Sequence, residues 1–319
     1  MKLDRERLQQ EIHKLYRRDH EELGETGTLA MLERAVDFPL SGTLNAGGVL
    51  VFPHAGVKDC GYQIAACVRA CLDSGADRVV VVSVLHAFSD AMEDARQRVS
   101  GGSDPRQEEL WGIQGPGLEG RQEWRGDHAL YSWRHFWRAG IRRRGIDESR
   151  APQVIERYPY LAGGRPGALP GMEELARVAE DAVIVSTADA FHHGIGYGDP
   201  PELALWPDER GLARAREVLE EGMALLGRGD YWGYDQHCVA AKSDARDAGQ
   251  VFRWLRGPMR GRVLDLAFSD SSELYNQPTP TWVAAALKEW TLETGAQSSS
   301  ESCGELAVGY TRRGHMPEI

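Results

Sequence analysis

Short runs that are apolar at every position alternate along this chain with longer amphipathic ones. Val49–Phe52 is such a run; Pro53 ends it and His54 follows. Asp77–Val84 (DRVVVVSV) and Ala182–Thr187 (AVIVST) have the same unbroken character. Parallel strands covered on both faces read this way, whereas strands with one wet face alternate. Gly261–Phe268 (GRVLDLAF), Pro152–Ile155 and Glu305–Thr311 add three more predicted strands. Helical spacing predicts helices over 3–20, 60–73, 127–140, 171–180, 208–227, 245–255 and 281–292. In the first, Leu8, Ile12, Leu15 and Tyr16 share a face. Residues 89–125 are polar and Gly-rich and read as a long excursion. The pattern predicts an α/β fold: one domain over 47–319 with a mostly parallel central sheet flanked by helices. Residues 1–46 are expected to form an N-terminal helical extension that packs on it and covers part of a site.

Charge and cysteine content narrow the function classes. The 319 residues carry a net charge of −11, which argues against nucleic acid as a partner, because phosphate binding needs a basic footprint. Arg138–Arg144 is the local exception and reads as a solvated helix face. The charged start MKLDRERLQQ has no apolar core of a signal peptide, and no run approaches a membrane span. Five cysteines at irregular spacing predict free thiols in a reducing, cytoplasmic setting. Cys60, Cys67 and Cys71 share a helical stripe with Ile64, as buried packing residues do.

The candidate chemistry sits just past the strands. His54 follows the first run, His86 the second, and Asp189 and His192 the third. In open α/β sheets ligands bind outside the carboxyl ends of the strands, so His54 and His86, at the ends of two adjacent parallel strands, are expected to converge with the Asp189/His192 pair. One such histidine alone reads as a loop residue with a satisfied hydrogen bond; three together read as ligands at a shared crevice. Neutral imidazole suits iron, zinc and copper alike. Asp189 beside His192 reads as a carboxylate that fixes an imidazole tautomer. His193 is left outside the site. The aromatics Trp111, Trp124, Trp133, Trp137, Tyr158 and Tyr160 read mainly as core. GIGYG at 194–198 has neither the spacing nor the context of a dinucleotide site, and no P-loop or GxSxG occurs.

PHAG at 53–56 with Cys60-Gly61 after it, an apolar strand ending in His86, and STADAFHHG at 186–194 resemble the Memo family. That family shares its fold with extradiol dioxygenases, which hold iron with two histidines and a carboxylate. DHALYSW at 127–133 falls where the family has a motif beginning Glu-His-Ser, and VLDLAFSDSS at 263–272 resembles its late strand and serine-bearing loop. The likeness spans residues 47–311. It implies metal ligation by His54, His86 and a third ligand at Cys238, with His237 an equal alternative and an inert buried Cys238 the bland one. It implies that His192 is the acid–base residue, that Asp189 accompanies it, and that His128 is a pocket histidine. The chain departs from the family at Leu85, Tyr131 and Val239-Ala240. The function implied is a mononuclear non-heme oxidoreductase, with Fe(II) first and copper second, using O₂ on a small aromatic or otherwise electron-rich substrate. A zinc-dependent hydrolase and a non-catalytic, Memo-like peptide-binding protein are the alternatives.

Overall fold

The unbroken apolar runs are strands covered on both faces in this computed structural model, which describes residues 5–276 and 279–293. In chain order the elements are α1 (Arg5–Arg34), α2 (Ser41–Asn45), β1 (Val49–Phe52), α3 (Val57–Asp73), β2 (Arg78–Val82), α4 (Asp90–Ser100), β3 (Gly112–Gln114), α5 (Tyr131–Arg143), β4 (Gln153–Tyr160) and α6 (Met172–Ala179). There follow β5 (Val183–Thr187), β6 (His192–Gly194), α7 (Glu209–Gly227), α8 (Tyr231–Ala240), α9 (Arg246–Arg256), β7 (Met259–Asp270), α10 (Ser272–Tyr275) and β8 (Thr281–Leu292).

Alternate side chains of each central strand enter different cores. Leu50, Phe52, Val79, Val81, Val183 and Val185 pack with α3 and α5 residues such as Ile64, Cys67 and Phe136. Val49, Val51, Val80, Val82 and Ile184 point the other way, toward Leu175 of α6 and Val251 and Phe252 of α9. The strand order is β3-β4-β2-β5-β1-β8-β6, with β7 on β8. The central four, β4-β2-β5-β1, are parallel. Strands β3, β6, β7 and β8 join antiparallel. The expected mixed α/β fold, with a mostly parallel sheet between helices and an N-terminal helix, is therefore present.

Several details differ from expectation, among them the eleven-residue helix α4 within the stretch 89–125 read as an excursion. Residues 281–292 form a strand, not a helix: the Ala-rich segment pairs with β1, β6 and β7, and Thr281–Trp290 is buried throughout. Tertiary cover on both faces overrides alanine's helix preference. The helix expected over 127–140 begins only at Tyr131, leaving Asp127 and His128 in a loop. The N-terminal helix runs on to Arg34, through a bend at Gly24, whose φ of 61° a residue with a Cβ would adopt only with strain. The strand expected at Glu305–Thr311 lies outside the described residues. Cys60, Cys67 and Cys71 are buried free thiols on α3, as read.

Trp133 of α5 stacks on Phe52 of β1 at 4.8 Å between ring centroids, and its buried indole nitrogen has no hydrogen-bond partner. Trp133→Ala should therefore cost about 3–5 kcal/mol of unfolding free energy in urea titration. Trp133→Phe should cost clearly less, because it keeps the stack and removes the unpartnered N–H.

Candidate metal centre

The strand ends deliver the histidines to one place, by a different route from the one expected. The first two strands are not neighbours; β5 lies between them. His54 and His86 thus flank the end of β5, their ring centroids 5.2 Å apart. His128, from the loop before α5, stacks on His86 at 4.3 Å. Donor atoms of His54, His86 and His128 lie within 4.8 Å of one another, as do those of His54, Asp189 and Asp244.

Each ring's orientation has a cause. His54 Nδ1 hydrogen-bonds Thr187 Oγ1 at 2.9 Å, at the end of β5. His86 Nδ1 lies 3.1 Å from both oxygens of Asp127, which also accepts from the His86 backbone N–H at 2.7 Å and from Ala129 N–H at 2.9 Å. A partner on Nδ1 fixes the tautomer that leaves Nε2 free as a ligand. Both Nε2 atoms face Asp244 Oδ2, at 3.0 Å for His54 and 3.6 Å for His86. That buried oxygen is ion-paired with both rings. Two imidazole nitrogens and a carboxylate oxygen this close together are donors that a cation would hold in place of protons. The donor set suits a divalent first-row metal.

The third position departs from the expectation. Cys238 is buried in α8 and lines a different cavity, and His237 Nε2 hydrogen-bonds the carbonyl of Val218 at 2.8 Å. Helix α8 turns both side chains away, and the loop between α8 and α9 presents Asp244 instead. Asp189 also has a different task. Its Oδ1 accepts from the His54 backbone N–H at 3.0 Å, and its own N–H donates to Asp244 Oδ1 at 2.8 Å. It orients the His54 loop and is not bonded to His192. His192 does reach the site's cavity, as do His54, His86, His128 and Asp189. His193 is used elsewhere, beside Asp199 at 3.0 Å and accepting from Leu205 N–H.

The cavity over the centre has a volume of about 410 Å³. Helix α1 walls it with Ile12 and Tyr16, and Phe88, Tyr197 and Tyr275 add aromatic surface. Tyr16 donates its hydroxyl to the carbonyl of His54 and meets the His128 ring edge-on at 5.1 Å. The N-terminal segment is therefore a wall of the site, as anticipated. None of the six aromatics read as core lines this cavity, and Trp133, Tyr158 and Tyr160 are fully buried.

Charge is distributed unevenly among the histidines. Burial opposes protonation of His86, but Asp127, by charge and hydrogen bond, and Asp244 outweigh it and raise the pKa to about 10. Burial likewise opposes protonation of His54, and Asp189 and Asp244 again prevail. Burial opposes ionisation of Asp244, yet His54 and His86 hold it well below the usual carboxylate range. His128 goes the other way: burial and the His86 charge keep it neutral, and burial does the same for His192. Each of these two neutral rings has a buried Nδ1 without a partner. Compared with known proteins, the chain matches no family model and no curated protein.

Sequence reasoning missed Asp244, Thr187 and Asp127 as parts of the site. The one available signal for Asp244 was its place in a short polar break, Lys242-Ser243-Asp244, between two helical segments.

The raised pKa of His86 gives the metal-free protein a pH-dependent stability. His86 is raised above the ordinary ~6.5 of imidazole, so its contribution is complete below about pH 6.5 and is lost as pH rises toward 10. Lys288, lowered to about 8 by burial against the pull of Asp244 and Asp189, adds stability only above that pH. Between pH 6.5 and 8 the unfolding free energy of chelator-treated protein should therefore fall, by about 1–2 kcal/mol. Asp127→Asn should flatten that slope in urea titrations across the same window.

Proposed function

We propose that this chain is a mononuclear, metal-dependent oxidoreductase of dioxygenase type. It would use Fe(II), held by His54 Nε2, His86 Nε2 and Asp244 Oδ2, with O₂ and a small aromatic or otherwise electron-rich substrate. The observation that carries the reading is the buried Asp244 Oδ2, 3.0 Å and 3.6 Å from the Nε2 atoms of two histidines. A carboxylate third ligand in place of a thiolate favours Fe(II) over copper. It also moves the chain, within the proposed kinship, toward the extradiol dioxygenases and away from the Memo pattern.

When bound, such an iron supplies a Lewis acid with open positions at which substrate and O₂ meet. The protein's own groups would do the rest. Asp127 and Thr187 hold the two ring tautomers so that Nε2 stays available. His192, neutral and with Nδ1 free, would take a proton from a substrate hydroxyl at that atom. His128, also neutral, would donate or accept a hydrogen bond at its own Nδ1 and so orient substrate or oxygen. Phe88, Tyr197 and Tyr275 would hold a flat ring, and α1 would exclude water through Tyr16.

Anaerobic protein reconstituted with Fe(II) should hold one equivalent by elemental analysis. His54→Ala and Asp244→Asn should each lose it or weaken it by at least about tenfold, while Cys238→Ser should retain it. Retention by Asp244→Asn would remove the proposed centre. One equivalent of zinc with turnover in the absence of O₂ would replace oxidation by hydrolysis.

Turnover tests the proton role separately. His192→Gln should keep its iron, yet its O₂ uptake with catechol-type substrates should fall about 10²–10⁴-fold. Undiminished uptake would assign the proton step elsewhere.

A further inference from the structure

A second cavity lies on the α7–α9 side of the sheet and shares no lining residue with the one over the histidines. Its volume is about 30 Å³, room for about two water molecules. Apolar groups such as Val51, Leu219, Met223 and Phe252 make most of its wall, and half-buried Ala190, His237 and Ser243 stand among the lining residues. Into it points Lys288 of β8, a side chain set between Val51 of β1 and Val263 of β7 in the sheet register.

Lys288 is 4% exposed. Buried lysines are ordinarily paired, because an isolated ammonium loses its hydration and gains nothing in return. Here no described residue hydrogen-bonds its Nζ or lies within ion-pair distance of it. The other buried charge of this strand behaves in the ordinary way: Glu289, next in sequence and on the opposite face, pairs with Arg262 and accepts from Thr43. Lys288 is also used neither by the histidine centre nor by any structural contact to a carboxylate. Burial lowers its pKa to about 8, which leaves a useful fraction of free amine near neutral pH. A desolvated amine in an apolar recess is the arrangement that activates lysine as a nucleophile toward carbonyl carbon.

We propose that Lys288 is a nucleophilic amine that condenses with a small aldehyde or ketone admitted to this cavity. The amine nitrogen adds to the carbonyl carbon, and one N–H proton passes to the oxygen, giving a carbinolamine. The second N–H proton and the hydroxyl then leave as water, and the C=N bond of an imine remains. No electrons are transferred and no further reactant is needed. The cavity's size sets the class: a carbonyl compound of two or three heavy atoms fits, and an aromatic aldehyde does not. The site stands independently of the metal reading.

The test uses the full chain, as purified, at pH 7 with acetaldehyde and sodium cyanoborohydride, which traps each imine as an N-ethyl group. Peptide mapping over time reports Lys14, Lys58, Lys242 and Lys288 separately. Lys288 should be ethylated at least about tenfold faster than Lys14, in line with its larger free-amine fraction. Benzaldehyde under the same conditions should show no such preference. Labelling of Lys288 at a rate equal to or below that of Lys14 would overturn the proposal. Lys288→Met should lack the fast-labelled site while Lys14, Lys58 and Lys242 react as before. Because the mapping is done on the unaltered chain, the answer does not depend on how that variant folds.

Discussion

Three aspartates with covered carboxylates hold the loops of this site together. Loops at strand ends carry backbone N–H groups that no sheet partner satisfies, and burying them unpaired is costly. Asp127 takes the N–H groups of His86 and Ala129, Asp189 takes that of His54, and Asp244 takes that of Asp189. Each carboxylate thereby fixes the backbone from which a ring or another carboxylate projects. The convergence of His54, His86 and Asp244 follows from these ties more than from contacts among the rings. The same carboxylates set the electrostatics: they raise the pKa of His54 and His86, while burial keeps His128 and His192 neutral. A divalent cation would take over the charge balance that protonation of these rings otherwise provides.

Much of this was legible in the sequence because burial on both faces writes itself as unbroken apolar runs. β1, β2 and β5 were each visible, and so was the residue just past each one. What such runs do not encode is order. Nothing in VLVF or RVVVV says that VIVST lies between them, so the two histidines were expected at adjacent strands and instead flank a third. The outcome for the site is nearly the same, since β5 contributes the Thr187 hydroxyl that orients His54.

The misreadings share a physical origin. Thr281–Leu292 is rich in alanine, and local preference points to a helix; the decision was made by β1, β6 and β7, distant in the chain. Cys238 and His237 stood out because both are strong ligand types, yet their helix points them at α7 and the second cavity. Asp244 is a common residue among 48 acidic ones, distinguished only by where α8 ends and α9 begins. Ligand chemistry was visible in the residue types, but ligand position depended on the loop.

The tie between Tyr16 and the carbonyl of His54 bears on when the site can exist during synthesis. Its parts come from α1, from three separate strand ends, and from the loop before α9. On a ribosome that releases the chain from its N-terminus, Tyr16 waits for Asp244, and the sheet under His54 waits longer still for β8. No chain that ends before Asp244 offers a cation all three donors. Metal capture here would be a late event on a nearly finished fold, unlike a zinc finger, where the ion directs folding from the start. The first helix, made earliest, is among the last to find its final contacts.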